Sequence, residues 1–236
     1  LRAKRREMNQ EKGKRAVAEA AVDTCVRAGM TIGLGTGSTA YWAIARVGER
    51  VARGERLSAV ATSLETERLC RERGIPLLDF SDVRELDVAI DGADEVTPDF
   101  HAIKGGGGAL FRERAVALVA RSFVLIVTEN KIVKRLGAFA LPVEVVPFAA
   151  TYVLREIRAM GIEANTRGTA QAPFVSDNGN HVLDCRFGTI DAPAELDRRL
   201  RGIHGVATTG LFVDLVDRVF AATLAGEIRE LRAPRL

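Results

Sequence analysis

Between positions 91 and 113 the chain carries Asp91-Gly-Ala-Asp-Glu95, Lys104-Gly-Gly-Gly-Gly108 and Glu113. Carboxylates offer proton acceptors, the lysine a cation, and the glycine run backbone N–H groups unobstructed by side chains. These are the groups needed to bind a small polar ligand and react it. Just before Asp91, Leu86-Asp-Val-Ala-Ile90 reads as a buried strand that delivers its charges to a loop. In an open α/β sheet ligands bind at that end of the strands. Residues 109–119 then read as a helix with Glu113 in its second turn. Taken singly, Asp-Gly is a turn signal, a glycine run a flexible loop, and an early helical glutamate a solvated complement to the helix dipole. Their joint occurrence after a buried strand favours a site.

A second glycine loop lies upstream. Gly33-Leu-Gly-Thr-Gly-Ser-Thr39 follows a short strand over residues 30–34 and precedes a helix over 40–53 that stops at Gly54. Strand, glycine loop and helix form the layout of a phosphate site at a helix N-terminus. The dinucleotide fingerprint fails, because Ser38 stands where a third glycine belongs. The P-loop fails as well, with Gly37 in place of the lysine. One phosphate still suits the loop, held by N–H groups and the hydroxyls of Thr36, Ser38 and Thr39. Read alone, the same residues also make a tight turn with a Ser/Thr helix cap.

The elements that must position these loops follow from periodicity. Residues 11–28 form an amphipathic helix through Val17, Ala20, Ala21 and Cys25, closed by Gly29. Strands are expected over 58–62 and 122–127, a helix over 65–73, and a third apolar run over 75–80. This alternation predicts an α/β fold with a doubly wound, mostly parallel sheet. After Lys131 the pattern changes to a strand over 142–146, a helix over 149–160, a hairpin of 171–176 and 181–187 around Asp177-Asn-Gly-Asn180, and a helix over 193–200. We expect residues 131–204 to form a small α+β domain inserted into a catalytic domain of residues 8–130 and 205–236. Strands over 206–212 and 218–222 are expected to return to the first sheet.

A net charge of +3, from 34 basic and 31 acidic side chains, argues against a nucleic-acid partner. Arg2, Lys4, Arg5 and Arg6 in front and Arg229, Arg232 and Arg235 behind read as solvated ends. The three cysteines are dispersed and odd in number, which fits a reducing cytoplasm. His101, His181 and His204 have no partner at metal-ligand spacing, so no metal site is expected. Neither a membrane span nor a secretory signal is read, and Met8 reads as a possible natural start.

Gly33-Leu-Gly-Thr-Gly-Ser-Thr-Ala40, Asp91-Gly-Ala-Asp-Glu95, Ile103-Lys-Gly-Gly-Gly-Gly108 with Arg112-Glu113, Leu141-Pro-Val-Glu-Val145, Ser176-Asp-Asn-Gly-Asn180 and Gly210-Leu-Phe212 occur in this order. Together they closely resemble the A-type ribose-5-phosphate isomerase family from about Met8 onward. The resemblance implies a Rossmann-like domain and a small ferredoxin-like domain that helps form a homodimer or homotetramer. It implies reversible conversion of D-ribose 5-phosphate to D-ribulose 5-phosphate without a metal or organic cofactor. Glu113 is the catalytic base by this resemblance. Thr36, Gly37, Ser38, Thr39, Asp91, Gly92, Ala93, Asp94, Lys104, Gly105, Gly106, Gly107 and Lys131 are similar to the family's substrate-binding positions, and Lys14 to a lysine near the phosphate. Gly108, where alanine is common, and Phe111, where a smaller residue is usual, depart from the pattern. Residues 1–7 have no family counterpart.

An aldose–ketose isomerase needs one carboxylate to shuttle a carbon-bound proton through an enediolate, and donors where the oxygen charge develops. Glu113 fills the first role, with a pKa best raised toward neutrality by partial desolvation. Lys104 and the amides of Gly105, Gly106 and Gly107 fill the second. Asp91 and Asp94 suit binding of sugar hydroxyls and ring opening. Two other classes compete. A non-catalytic sugar-phosphate sensor would dispense with Glu113, and an acyl-CoA transferase-like enzyme would need a far larger acceptor site.

Overall fold

The computed structural model describes residues 2–169, 171–223 and 226–233, and side chains from Gln10 onward within those spans. Its contacts divide the chain into two compact units, Leu1–Ala93 with Arg112–Ile132 and Leu215–Leu236, and Asp94–Phe111 with Val133–Asp214. This division puts residues 94–111 and 205–214 in the second unit, whereas the sequence reading kept them in the first.

The first unit holds a six-stranded sheet of β1 (Thr31–Leu34), β2 (Ser58–Ala61), β3 (Val88–Asp91), β6 (Phe123–Thr128), β12 (Arg218–Ala222) and β13 (Ile228–Arg232), in the order β13-β12-β6-β3-β1-β2. Its first five strands are parallel, and β13 lines one edge antiparallel to β12. Along the parallel strands the chain order reverses between β1 and β3, the switch point where doubly wound sheets bind ligands. All four positions of β3 and the first five of β6 are buried, as their unbroken apolar runs require of a sheet covered on both faces. Ile32 and Leu34 share a core with Val17 and Val22 of α1 (Arg2–Cys25) and with Ile44 and Val47 of α2 (Ala40–Ala52). Gly33, between them, faces the opposite side. A Cβ on Gly33 would lie 2.4 Å from Val116 Cγ1 of α4 (Leu110–Leu118), so the alternation places helices on both faces.

α3 (Leu64–Glu72) starts where the Ser63 hydroxyl accepts the Thr66 N–H at 3.0 Å. The apolar run at 75–80 makes one isolated bridge, Leu77 to Ala59, and ends in a 3-10 turn at Phe80–Asp82. Because α4 begins at Leu110, Glu113 lies in its first turn rather than its second. At the ends, Arg229 and Arg232 are exposed and pair with Glu227 and Glu230. Arg235 and the side chains of Arg2, Lys4, Arg5 and Arg6 lie outside the described residues.

The second unit runs β7 (Leu141–Val145), α5 (Ala150–Ala159), β8 (Glu163–Thr166), β9 (His181–Arg186), α6 (Pro193–Arg201) and β10 (Val206–Thr209). These strands form an antiparallel sheet in the order β10-β7-β9-β8, which is the ferredoxin-like β-α-β-β-α-β arrangement. A smaller sheet joins β4 (Glu95–Val96), β5 (Ala102–Ile103) and β11 (Leu211–Phe212).

Two strand expectations need correcting. Residues 171–176 form no strand: their bridges, Gly168–Pro173 and Val175–His181, are isolated, and β9 pairs with β7 and β8 instead. Pro173 has no N–H for a ladder, and Gly168 turns the chain at φ +87°. The run at 206–212 does not return to the first sheet. It splits at Gly210 into β10, paired with β7, and β11, paired with β5; only β12 returns. Among the described residues no helix is long and apolar enough to cross a membrane.

Candidate active site

In the first unit two loops leave the sheet at its switch point. β1 ends at Leu34 and β3 at Asp91. The Gly35 N–H donates to Ile90 O at 3.0 Å, and a Cβ on Gly35 would lie 2.0 Å from Asp91 Oδ1. Only glycine lets the loop cross this close to the carboxylate. Asp91 is 2% exposed, and its Oδ1 accepts the N–H groups of Gly92 at 2.7 Å and Thr36 at 3.2 Å. Fixing Oδ1 on two amides also fixes the direction of Oδ2.

The loop hydroxyls divide into two kinds. Thr36 Oγ1 lies within hydrogen-bond distance of Thr62 Oγ1 (2.8 Å), Ser63 Oγ (2.8 Å) and Thr66 Oγ1 (3.2 Å). It is engaged with the cap of α3, and the Thr66 hydroxyl in turn donates to Gly35 O at 2.8 Å. Ser38 is exposed and Thr39 half-buried. Thr39 stands at the N-cap of α2 with helical φ −84° and ψ −42° and makes no side-chain cap bond, so a Ser/Thr cap does not explain this loop. Among the first N–H groups of α2, Tyr41 donates to Gly37 O at 2.9 Å and Trp42 to Thr39 O at 3.1 Å, so protein carbonyls already satisfy part of this helix start.

Glu113 is 4% exposed in the first turn of α4. Lys131 ends a 3-10 turn, Glu129–Lys131, and is half-buried. Lys14 Nζ lies 2.6 Å from Glu11 Oε1 on α1, and this contact holds the Glu11 carboxyl below its usual range. Gly92 and Ala93 follow Asp91, both half-buried.

The second unit carries the other expected residues. Asp94 Oδ2 accepts the Gly106 N–H at 2.8 Å. That amide is therefore occupied by protein, which separates it from its neighbours as a candidate oxyanion donor. Lys104 is 2% exposed; its N–H donates to Gly210 O at 2.9 Å and its Nζ lies 5.5 Å from the centre of the Phe212 ring. Glu95, the third carboxylate of the Asp91–Glu95 motif, is an anchor: its two oxygens accept the N–H groups of Gly137 at 2.7 Å and Phe139 at 2.6 Å. Sequence reasoning missed Arg167, whose Nη1 donates to Gly105 O at 3.0 Å and Gly106 O at 3.2 Å. Its partners lie 61 and 62 residues away, so no local spacing announces it. Among the described residues no group of three or more His, Cys, Asp or Glu side chains is placed to hold a metal ion.

Residues 58–226 match the family model for ribose 5-phosphate isomerase A (phosphoriboisomerase A). Ribose-5-phosphate isomerase A 1 of Oceanobacillus iheyensis is 47% identical over 211 residues, covering 89% of this chain and 94% of the relative. The Thermosynechococcus vestitus ribose-5-phosphate isomerase A is 45% identical over 220 residues, 91% of each chain. Among solved structures, ribose 5-phosphate isomerase A of Methanocaldococcus jannaschii superposes with a TM-score of 0.88 at 38% identity, covering 94% of this chain and 99% of the other. A D-ribose-5-phosphate isomerase in complex with phospho-erythronic acid gives 0.89 at 35% identity, covering 94% and 98%. With its glycine loops, its switch-point aspartate and this likeness over nearly the whole length, the chain belongs to the ribose 5-phosphate isomerase A family.

Proposed function

We propose that the chain reversibly interconverts D-ribose 5-phosphate and D-ribulose 5-phosphate in the non-oxidative branch of pentose phosphate metabolism. In a chain of this family, the observation that carries the reading is buried Asp91, tied through the Thr36 amide to the glycine loop at the sheet's switch point. Glu113 removes the proton from C2 of the open-chain aldose and returns it to C1 through an enediolate, while the hydroxyl proton passes between the two oxygens. Lys104 and the amides of Gly105 and Gly107 stabilise the developing oxygen charge; the Gly106 amide is taken by Asp94. Asp91 and Asp94 hold sugar hydroxyls and assist ring opening. Gly37, Ser38 and Thr39 hold the phosphate, and Lys131 and Lys14 add positive charge around it. No step calls on a metal or organic cofactor.

The test is ketose formation from ribose 5-phosphate by the purified protein with EDTA present, wild type beside Glu113→Gln. Wild-type turnover is expected to survive, and the variant to lose at least about 10²-fold in kcat with little change in KM. Loss with EDTA that a divalent cation restores would contradict the metal-free mechanism. Undiminished turnover of the variant would remove Glu113 from the proton transfer.

The same reading makes the protein a cytoplasmic homodimer or homotetramer. Free Cys25, Cys70 and Cys185 support a reducing compartment. Exposed Val146, Phe148 and Tyr152 around the start of α5 support self-association. A monomer in light scattering would remove the oligomer.

A further inference from the structure

Residues 105–108 form a tight turn, with the Gly108 N–H donating to Gly105 O at 2.9 Å. Two side chains of the same unit grip it. Asp94 takes the Gly106 N–H, and Arg167 donates to the carbonyls of Gly105 and Gly106. A trans peptide points its C=O and N–H in opposite directions. The Gly105–Gly106 peptide is thus held at both ends. The Gly106–Gly107 peptide is held by its carbonyl alone, which turns the N–H of exposed Gly107 away from Arg167.

Arg167 is itself immobilised. Its Nε and Nη2 donate to Asp184 Oδ2 at 3.0 Å and Oδ1 at 2.6 Å, a two-pronged pair, and its side chain is 17% exposed. Backbone bonds Arg167 N to Val182 O and Phe174 N to Arg167 O, both 2.8 Å, fix its Cα. The Phe174 ring lies 5.6 Å from the guanidinium and fills the space that a Cβ on Gly108 would occupy, 2.3 Å from Cζ. All three nitrogens of the fork are engaged, Nη1 in holding the turn and Nε and Nη2 in being held.

We propose that Arg167, oriented by Asp184, is a positioning residue for the isomerisation: it sets the glycine turn so that the Gly107 N–H faces the developing enediolate oxygen. Resting on the isomerase reading, it adds a residue with no substrate contact whose loss raises the barrier rather than weakening phosphate binding. Lysine cannot replace it, since a single ammonium cannot span a carboxylate and two carbonyls in one plane.

The experiment compares wild type with Arg167→Ala, Arg167→Lys and Asp184→Asn for kcat, KM, inhibition by inorganic phosphate, and inhibition by an aldonic acid phosphate whose carboxylate mimics the enediolate. Removing one oxyanion donor costs about 10²–10³ in kcat; a misaimed donor should cost at least about 10-fold in the arginine variants and less in Asp184→Asn. KM and phosphate inhibition should stay within about threefold, while aldonate inhibition weakens in step with kcat/KM. Added methylguanidinium should restore part of the Arg167→Ala turnover and none of that of Glu113→Gln. If Arg167→Ala does not fold, the Lys and Asn variants carry the same readouts. Unchanged kcat, or equal weakening of phosphate and aldonate inhibition, would overturn the proposal. An inactive wild type would overturn the isomerase reading and this inference with it, a result distinct from an active wild type with indifferent variants.

Discussion

At the end of β1 and in the loop after it, glycine is required by what lies against it. Gly33 is pressed by Val116 and Gly35 by the Asp91 carboxylate, at distances no Cβ tolerates. In the turn at 105–108, the backbone is instead held by hydrogen bonds from charged side chains, Asp94 on an amide and Arg167 on two carbonyls. A Cβ on Gly106 would meet the carboxylate end of Asp94 at 2.6 Å. That carboxylate is the tip of a rotatable side chain, whereas the contact at Gly35 reaches back to the Asp91 Cβ at 2.6 Å. Two similar glycine runs therefore do different work. One makes room for a carboxylate, and the other yields its own carbonyls and amides to be aimed.

The contrast breaks most sharply at residue 35. Gly35→Ala must displace Asp91 or the loop, and we expect a kcat loss of at least about 10²-fold with about 1–3 kcal/mol of destabilisation. Gly106→Ala should lose distinctly less. Turnover and urea midpoints measured together decide this, and equal losses at both positions would erase the distinction.

A second test separates the hydroxyls of the first loop. Ser38→Ala with Thr39→Ala removes donors made to the phosphate throughout the reaction, so KM should rise by about 10-fold or more with kcat within about threefold. The double variant should also lose most of its preference for ribose 5-phosphate over free ribose, because the remote group no longer positions C1 and C2. An intact preference would move the phosphate to Lys14 and Lys131.

The smallest effect is expected at Gly37. Its φ is +102° and a Cβ there meets nothing within 4 Å. Gly37→Ala should therefore cost only backbone strain, about 1–2 kcal/mol, and raise KM less than the double variant does. Thermal melts beside kinetics would check this; a kcat loss as large as that of Gly35→Ala would mean that the loop has no slack anywhere.

Local signals made much of this legible. The apolar run ending at Asp91, both glycine loops and the helix carrying Glu113 each declare themselves within a dozen or so positions, because strands and helices write their period into sequence. Three things did not. The Thr36 hydroxyl reads as a phosphate donor, yet its partners are at Thr62, Ser63 and Thr66, across a strand crossover. Glu95 looks like one more catalytic carboxylate until residues 137 and 139 bring their amides to it. β8 is mostly polar, Glu-Ala-Asn-Thr, with one buried position, so alternation over four residues is too faint to outweigh the turn signal at 177–180.

β6 lies beside β12, with Val124 in register with Arg218 across 94 positions of chain. Residues 133–214 are synthesised in that interval. At about 5–20 residues per second, the ribosome leaves Phe-Val-Leu-Ile-Val-Thr as an open, apolar sheet edge for roughly 5–20 seconds. Such an edge is a template for pairing with a neighbouring chain. When β12 and β13 arrive, they replace it with an edge bearing Arg229, Glu230 and Arg232, all exposed. β12 and β13 thus replace an apolar edge by a charged one, the kind of edge that blunts pairing with a neighbouring chain.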